Sequence, residues 1–193
     1  MNNTNNTNIA YLAWGSLIFS SDTLNIKEWK QSNLKLPIEY SRISDNKIGR
    51  LTLVIDELNG LNNNIWYTYL QTSNINKAIK DLKIRENTIK NSIGYINRKS
   101  NKMRIGNLSD KIIKNITNWM NEMNMDVAIW TNLQSNFNDF SFENAYNYYL
   151  LSNEKTKQDI CDYIKNCSEK CLIKTSFSDY FSTKLTHIQL NYF

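Results

Sequence analysis

The order of strand-like and helix-like segments is the feature of this sequence that most restricts its fold. Four segments rich in β-branched and aromatic residues come first and predict strands, at 9–14, 36–44, 49–56 and 65–70. Helical periodicity begins only after them, and one further strand-like segment, 126–133, lies between the later helices. A doubly wound sheet requires regular alternation of strands and helices, so this order predicts an α+β fold.

Local signals refine these elements. The segments 36–44 and 49–56 predict a hairpin through a turn at 45–47, with Pro37 near the start of its strand, where a missing N–H costs least. Apolar spacing predicts four helices, which cover 73–87, 109–124, 142–151 and 154–166. Ser73 or Asn74 can cap the first of these helices, and Ser109 can cap the second.

The length of 193 residues suits one domain with its own core. Residues 1–8, MNNTNNTN, predict a disordered tail, and residues 9–193 predict a single domain with a helical C-terminal extension. The N-terminus lacks the pattern of a signal peptide, and no apolar run approaches the ~18 residues of a membrane span. We therefore expect a soluble, cytoplasmic protein that does not contact a membrane.

Charge and metal-ligating residues argue against several classes of function. The net charge is +5, but the basic residues are scattered and no nucleic-acid reader motif is present, so nucleic-acid binding is not favoured. Cys161, Cys167 and Cys171 lack zinc-site spacing, which predicts reduced thiols and no metal. His187 is the only histidine, which argues against nucleophilic hydrolysis by a Ser/His or Cys/His system.

The stretch YLAWGSLIF, 11–19, places Gly15 and Ser16 between two apolar segments. A glycine here can adopt a positive φ or let the backbone approach a ligand, and successive N–H groups at such a turn can bind a carboxylate. The alternative is a tight turn in which Ser16 bonds its own backbone. The residues alone leave both interpretations open.

Several motifs together resemble the γ-glutamyl cyclotransferase superfamily. AYLAWGSLIF is similar to its YGSNL loop, and IWYTYL, followed by a helix that ends in KIREN, is similar to its later strand, helix and catalytic glutamate. The further motifs LPIEYSRIS, GRLTLVID, IGY, VAIWTNL and ICDYIKN resemble a poorly characterised bacterial branch of the superfamily. This resemblance covers most of residues 9–175.

The resemblance implies a small mixed β-barrel flanked by helices and a cofactor-independent reaction that requires neither a metal nor a covalent nucleophile. The α-amine of a γ-glutamyl compound attacks its own γ-carbonyl and releases 5-oxoproline, as in a cyclotransferase or lyase. Glu86 is then the general acid/base, and Trp14, Gly15, Ser16 and Leu17 contact a substrate that carries a carboxylate. Trp14 replaces the family's tyrosine and Leu17 its asparagine, so we expect substrate recognition to differ from that of the glutathione and γ-glutamyl amino acid enzymes. Asn87 replaces a glycine, a milder change because asparagine tolerates the left-handed conformation.

A role for Glu86 in proton transfer sets a structural requirement. The side chain should lie at the mouth of a cavity near Gly15, because an exposed carboxylate is a weak base at neutral pH. Arg85 need not contact it, since adjacent residues on a helix point to different faces. The alternative is a solvated carboxylate at a helix end, although the helix dipole disfavours that placement.

Glu39, Arg42, Ser44 and Arg50 form a second candidate set on the hairpin. One interpretation is surface charge with pairing between the strands. The other has Arg42 or Arg50 holding a substrate carboxylate through two hydrogen bonds. Glu39 and Arg42 point to opposite faces of a regular strand, unless a bulge intervenes.

Three functional classes follow from these observations. The first is the intramolecular lyase with Glu86 as its acid/base, and the second is a catalytically silent module of the same fold that binds a small anion. The third is a nucleic-acid or protein interaction domain. Formation of a homodimer and the role of residues 100–193 stay open.

Overall fold

The computed structural model describes residues 7–21, 23–44 and 49–190, with side chains described as far as residue 186. Its strands are β1 Ile9–Ala13, β2 Lys30–Ile43, β3 Leu51–Ile55, β4 Leu61–Tyr69, β5 Ile93–Asn97, β6 Lys102–Arg104 and β7 Val127–Thr131. Its helices are α1 Ser16–Phe19, α2 Ile75–Arg85, α3 Asp110–Glu122, α4 Phe142–Leu151, α5 Glu154–Cys171 and α6 Ser176–Leu190. Residues 1–6 of the predicted tail and the predicted turn at 45–47 lie outside the described residues.

The strands form a mixed sheet in the order β3-β2-β4-β1-β7-β5-β6. Strand β1 pairs antiparallel with β4 and parallel with β7. The predicted α+β class is therefore confirmed. Within the described part of the chain the sheet ends in β3 on one side and β6 on the other, so closure into a barrel stays a prediction.

The described residues group into two compact units. The first unit comprises the chain up to 35 together with 64–133, and the second comprises 36–63 together with the chain from 134 onward. Strands β2 and β4 each pass from one unit to the other. The single domain proposed for 9–193 stays a prediction.

The core of the first unit holds β1 and α2 together. All five residues of β1 are buried, and Tyr11, Ile79 and Leu82 belong to one hydrophobic cluster. The buried Tyr11 hydroxyl donates a 2.6 Å hydrogen bond to Ala78 O, within α2. Asn74 caps α2 as predicted, since its side chain accepts from the Lys77 N–H. These contacts fix the chain that leaves β1 and the end of α2 within one packed body.

The second unit contains the predicted hairpin of β2 and β3, which pair antiparallel. Strand β2 begins at Lys30, so Pro37 lies in its interior and the prediction that it sits near the strand's start was wrong. The position is tolerated because β3 pairs with β2 only from Ile38 onward. Helix α6 begins with a reciprocal cap, in which Thr175 and Ser178 each accept from the other's N–H at 3.0 Å.

Four elements were not predicted from the sequence: α1, β5, β6 and α6. Helix α5 also extends to Cys171, beyond the predicted end at 166. Strand β5 contains Gly94, opposite Trp130 of β7, and a Cβ atom at this glycine would lie 2.5 Å from the indole ring. The glycine that weakens the strand pattern is therefore required by the ring that covers it.

Among the described residues, no helix combines the length and apolar character needed to cross a membrane. The cytoplasmic location stays a prediction from the sequence.

Candidate functional site

The loop after β1 leads into the short helix α1. Gly15 has φ −149° and ψ −141°, so of the two possibilities that the sequence raised for this glycine, a positive φ and a close approach to a ligand, the first does not occur. Its carbonyl accepts a 3.0 Å hydrogen bond from the Ile18 N–H, at the start of the short helix α1. Trp14 and Leu17 are each 6% exposed, and Leu17 belongs to the hydrophobic cluster of the first unit. Whether the loop contacts a ligand stays a prediction.

Glu86 ends α2. It is the C-cap residue, with φ −81° and ψ −2°, and its N–H donates to Leu82 O at 2.9 Å. The next residue, Asn87, has φ 46°, the left-handed conformation that the sequence led us to expect it to tolerate. The helix therefore stops at Glu86 because the following residue reverses the backbone, and the carboxylate lies at this turn.

Arg85 and Glu86 form an ion pair. Arg85 Nη1 lies 2.5 Å from Glu86 Oε1, and the two side chains are only 12% and 17% exposed. From the sequence we expected that these two neighbouring side chains need not contact each other. They do so in the structure, because Glu86 lies just past Arg85, the last helical residue. Among the described residues, Glu86 Oε2 has no hydrogen-bond partner.

The same guanidinium holds the loop. Arg85 Nη2 donates to Ser16 O at 2.9 Å and to Ser20 O at 2.6 Å, while Nε donates to Ser20 O at 3.0 Å. Nη1, 2.5 Å from Glu86 Oε1, is also 3.5 Å from Ser16 Oγ, so these two oxygens lie within about 6 Å of each other. The structure thus brings Ser16 and Glu86 together through Arg85.

Glu39 is completely buried, so its interpretation as surface charge was wrong. Its Oε1 accepts from the Tyr40 N–H at 2.8 Å, and its Oε2 accepts from the Phe177 N–H, in the first turn of α6, at 3.3 Å. Burial raises the pKa of the Glu39 carboxyl, although the Thr175 hydroxyl and these two N–H groups act in the opposite direction. Glu39 therefore supports the start of a helix 138 residues away along the chain.

A bulge changes the direction of the hairpin side chains. Glu39 pairs with Val54 and Arg42 with Thr52, so three residues of β2 advance while β3 advances by two. Val54 and Thr52 share one face of β3, which places Glu39 and Arg42 on one face as well. Glu39 and Arg42 therefore do not point to opposite faces as a regular strand would require. The bulge named in the sequence analysis as the exception is present.

The other members of the second set contact different parts of the second unit. Arg42 Nη1 donates to Gln134 O at 2.9 Å, and the Ser44 N–H donates to Arg50 O at 2.9 Å. The Arg50 guanidinium lies 4.0 Å from the centre of the Tyr163 ring and 3.7 Å from Asp159 Oδ2, both on α5. Arg50 thus pairs with a helix rather than with the neighbouring strand, and a substrate contact by this set stays a prediction.

The second unit also contains a cleft of about 450 Å³ between α5 and α6. Apolar side chains and charged side chains both line it, including Ile164, Phe181, Leu185, Lys165, Lys174 and Asp179. Cys161 lies in this lining, whereas Cys167 and Cys171 are buried, and all three are free thiols. None of the residues predicted to bind substrate or to carry catalysis lines the cleft.

The sequence interpretation assigned no role to Arg85, the residue that links Ser16 and Glu86 in the structure. The motif KIREN contains it, but only Glu86 was assigned a role, because a helical neighbour was expected to point away. A signal was available in Asn87, because a residue that tolerates the left-handed conformation can end a helix just before it and leave Glu86 at the helix end.

Comparison of the chain with protein-family models, with curated proteins and with solved structures found no match.

Proposed function

We propose that this protein is a cofactor-independent intramolecular amine lyase, with a fold like that of the γ-glutamyl cyclotransferases and Glu86 as the general acid/base. The observation that carries the proposal is the link through Arg85, which holds the Glu86 carboxylate within about 6 Å of Ser16 Oγ by bonds of 2.5 and 3.5 Å. A loop and an acidic side chain, distant in the sequence, thereby share one place in the first unit.

The proposed reaction closes a five-membered ring. The α-nitrogen of a γ-glutamyl amine forms a bond to its own γ-carbonyl carbon, the bond from that carbon to the leaving nitrogen breaks, and 5-oxoproline and an amine result. Because both reacting groups belong to one molecule, holding it curled supplies much of the advantage of proximity, for which effective molarities reach ~10⁵–10⁸ M. The protein must then move one proton.

Glu86 has one oxygen suited to this transfer. Oε1 is held by Arg85, whereas Oε2 has no partner among the described residues, and the side chain keeps 17% of its surface exposed. Oε2 takes the proton that the attacking neutral α-amine loses as the ring closes and returns it to the leaving nitrogen, a role typically worth ~10²–10⁴ in rate. The main chain of the loop from Trp14 to Leu17 is the proposed contact for the substrate's carboxylate.

The test is release of 5-oxoproline from a panel of γ-glutamyl amino acids, followed by chromatography. The wild-type protein should turn over at least one member, and Glu86→Gln should reduce kcat by ~10²–10⁴. Glu122→Gln is the matched control, because Glu122 also lies at a helix end in the first unit and, among the residues that the structure describes, accepts from Asn33 alone. Turnover that survives Glu86→Gln would remove Glu86 from the mechanism.

A second candidate is the silent module that binds a small anion with a carboxylate. The observation that favours it is the ion pair itself, since the Arg85 guanidinium, 2.5 Å from Oε1, engages the Glu86 carboxylate in a contact that needs no reaction to explain it. Calorimetry with γ-glutamyl amino acids and with 5-oxoproline separates the two. Binding without any product favours the module, whereas product formation excludes it.

A further inference from the structure

Arg85 uses its whole hydrogen-bonding capacity inside the first unit. A guanidinium carries five N–H donors. Five donor–acceptor contacts occupy them: two to Ser20 O, one to Ser16 O, one to Ser16 Oγ and one to Glu86 Oε1. The side chain is 12% exposed. No donor is left over for the two parallel hydrogen bonds by which an arginine grips a ligand carboxylate.

We propose that Arg85 is a positioning residue for the reaction rather than a substrate contact. It fixes Glu86 through Oε1 and leaves Oε2 as the oxygen that exchanges protons, and it ties the segment 16–20 to the same guanidinium. This inference rests on the proposed function of Glu86. Arg85 alone then holds both the acid/base and the substrate loop in their relative positions.

The acceptors on the loop explain why an arginine is needed. Helix α1 has only four residues, so its carbonyls have few helical N–H partners, and a cation near them is favourable. A lysine supplies the same charge, but from a single ammonium with three donors and without the planar fork. Lysine can therefore bind the carbonyls or Glu86, and it cannot hold both at the present spacing.

The experiment compares Arg85→Lys with the wild-type protein on the γ-glutamyl amino acid that the wild type converts fastest. We expect kcat to fall by ~10–100-fold with KM within about threefold, since a small misplacement of a catalytic group has that effect. We also expect millimolar guanidinium to restore part of kcat in Arg85→Ala. A raised KM with unchanged kcat would show that Arg85 contacts the substrate, and unchanged values of both would overturn the proposal.

Arg98→Lys is the matched control. Arg98 also lies in the first unit and donates from Nη1 to two main-chain carbonyls, Met120 O and Met125 O, away from Glu86. It should leave kcat unchanged and gain nothing from added guanidinium. An equal loss of kcat in both variants would mean that Arg85 serves only general stability.

Hydrogen exchange separates failure of this inference from failure of the proposed function. If the wild-type protein forms no 5-oxoproline, the proposed function fails, and amide exchange of residues 16–21 then decides the positioning role. Arg85→Lys should accelerate exchange there at least tenfold, while Glu86→Gln should not. Unchanged exchange in Arg85→Lys would overturn the positioning role whether or not turnover is found.

Discussion

Two shielded glutamates, one in each unit, show how differently the same side chain can be held. Glu39 is completely buried, and both of its oxygens accept hydrogen bonds from main-chain N–H groups. Glu86 keeps 17% of its surface exposed, has a guanidinium on one oxygen, and has no described partner on the other. The main chain thus engages both oxygens of Glu39, whereas Arg85 engages only one oxygen of Glu86 among the described residues.

The difference teaches where to look for chemistry. Burial raises the pKa of Glu39, the property usually sought in a proton-transferring carboxylate. Yet no oxygen of Glu39 is available to a substrate, because its hydrogen bonds support the start of α6. An accessible carboxylate oxygen is therefore a better guide to a proton-transferring glutamate here than a raised pKa. Glu86 has such an oxygen, Oε2, among the described residues.

The largest expected effect is the loss of stability on Glu39→Ala. The change removes a buried side chain and leaves the Tyr40 and Phe177 N–H groups without partners, at a total cost of about 3–4 kcal/mol. Urea denaturation measures it. Glu86→Ala is the comparison and should cost about 1 kcal/mol or less, since its site is partly exposed. Equal losses would remove the distinction, and Glu39→Gln provides a milder variant if the alanine form does not fold.

Next in size is the effect of Glu86→Asp on turnover. The aspartate keeps the charge but withdraws the carboxylate by one methylene, away from Arg85 and the reacting nitrogen. We expect kcat to fall about 100-fold, or about 2.7 kcal/mol in activation free energy, with little change in urea midpoint. Retention of full activity in Glu86→Asp would mean that the position of this carboxylate does not matter to catalysis.

The pH dependence of stability should report Glu39. Because folding raises the pKa of this carboxyl, the folded chain holds the proton more tightly than the unfolded chain does. The resulting stabilisation is complete below the ordinary glutamate pKa of 4.5 and is lost as pH rises through the raised value. The slope for one proton is at most about 1.4 kcal/mol per pH unit.

The measurement is the free energy of unfolding of the wild-type protein and of Glu39→Gln across the acid range. The stability of the wild type relative to the variant should decrease as pH rises from 4.5. A difference that increases with pH, or that stays constant, would contradict the assignment.

The smallest expected effect concerns the cap beside Glu39. Thr175→Ala removes the hydroxyl that accepts from the Ser178 N–H, and loss of such a cap costs about 1 kcal/mol. Thr175→Ser keeps the hydroxyl and should lose much less. Thermal unfolding compares the two variants. If both lose the same stability, the methyl group rather than the cap is responsible.

The sequence predicted those elements whose signals are local. Helix α2 has a capping asparagine before it and Ile79 and Leu82 on one face, and the structure places it at Ile75–Arg85. The hairpin of β2 and β3 has the enriched β-branched residues typical of strands. In both cases the residues that decide the structure lie inside the segment itself.

What the sequence did not reveal depends on distant residues. The burial of Glu39 requires donors from a helix 138 positions later, and α6 itself draws on that same carboxylate. The contact of Arg85 with Glu86 depends on where α2 stops and on the loop carbonyls of Ser16 and Ser20. No pattern within either segment encodes such partners, so the candidate site was only partly predictable.

The pairing of Gly94 with Trp130 limits how this chain can diverge. A methyl group at residue 94 would lie 2.5 Å from an indole atom of Trp130, a steric clash, so we expect the two positions to change together, as glycine with a wide ring or as a larger residue with a narrow one. The stretches IGY and VAIWTNL meet at this point. When further sequences are aligned with this one, agreement at these two sites should be scored as a single steric constraint, and not as two independent signs of shared chemistry.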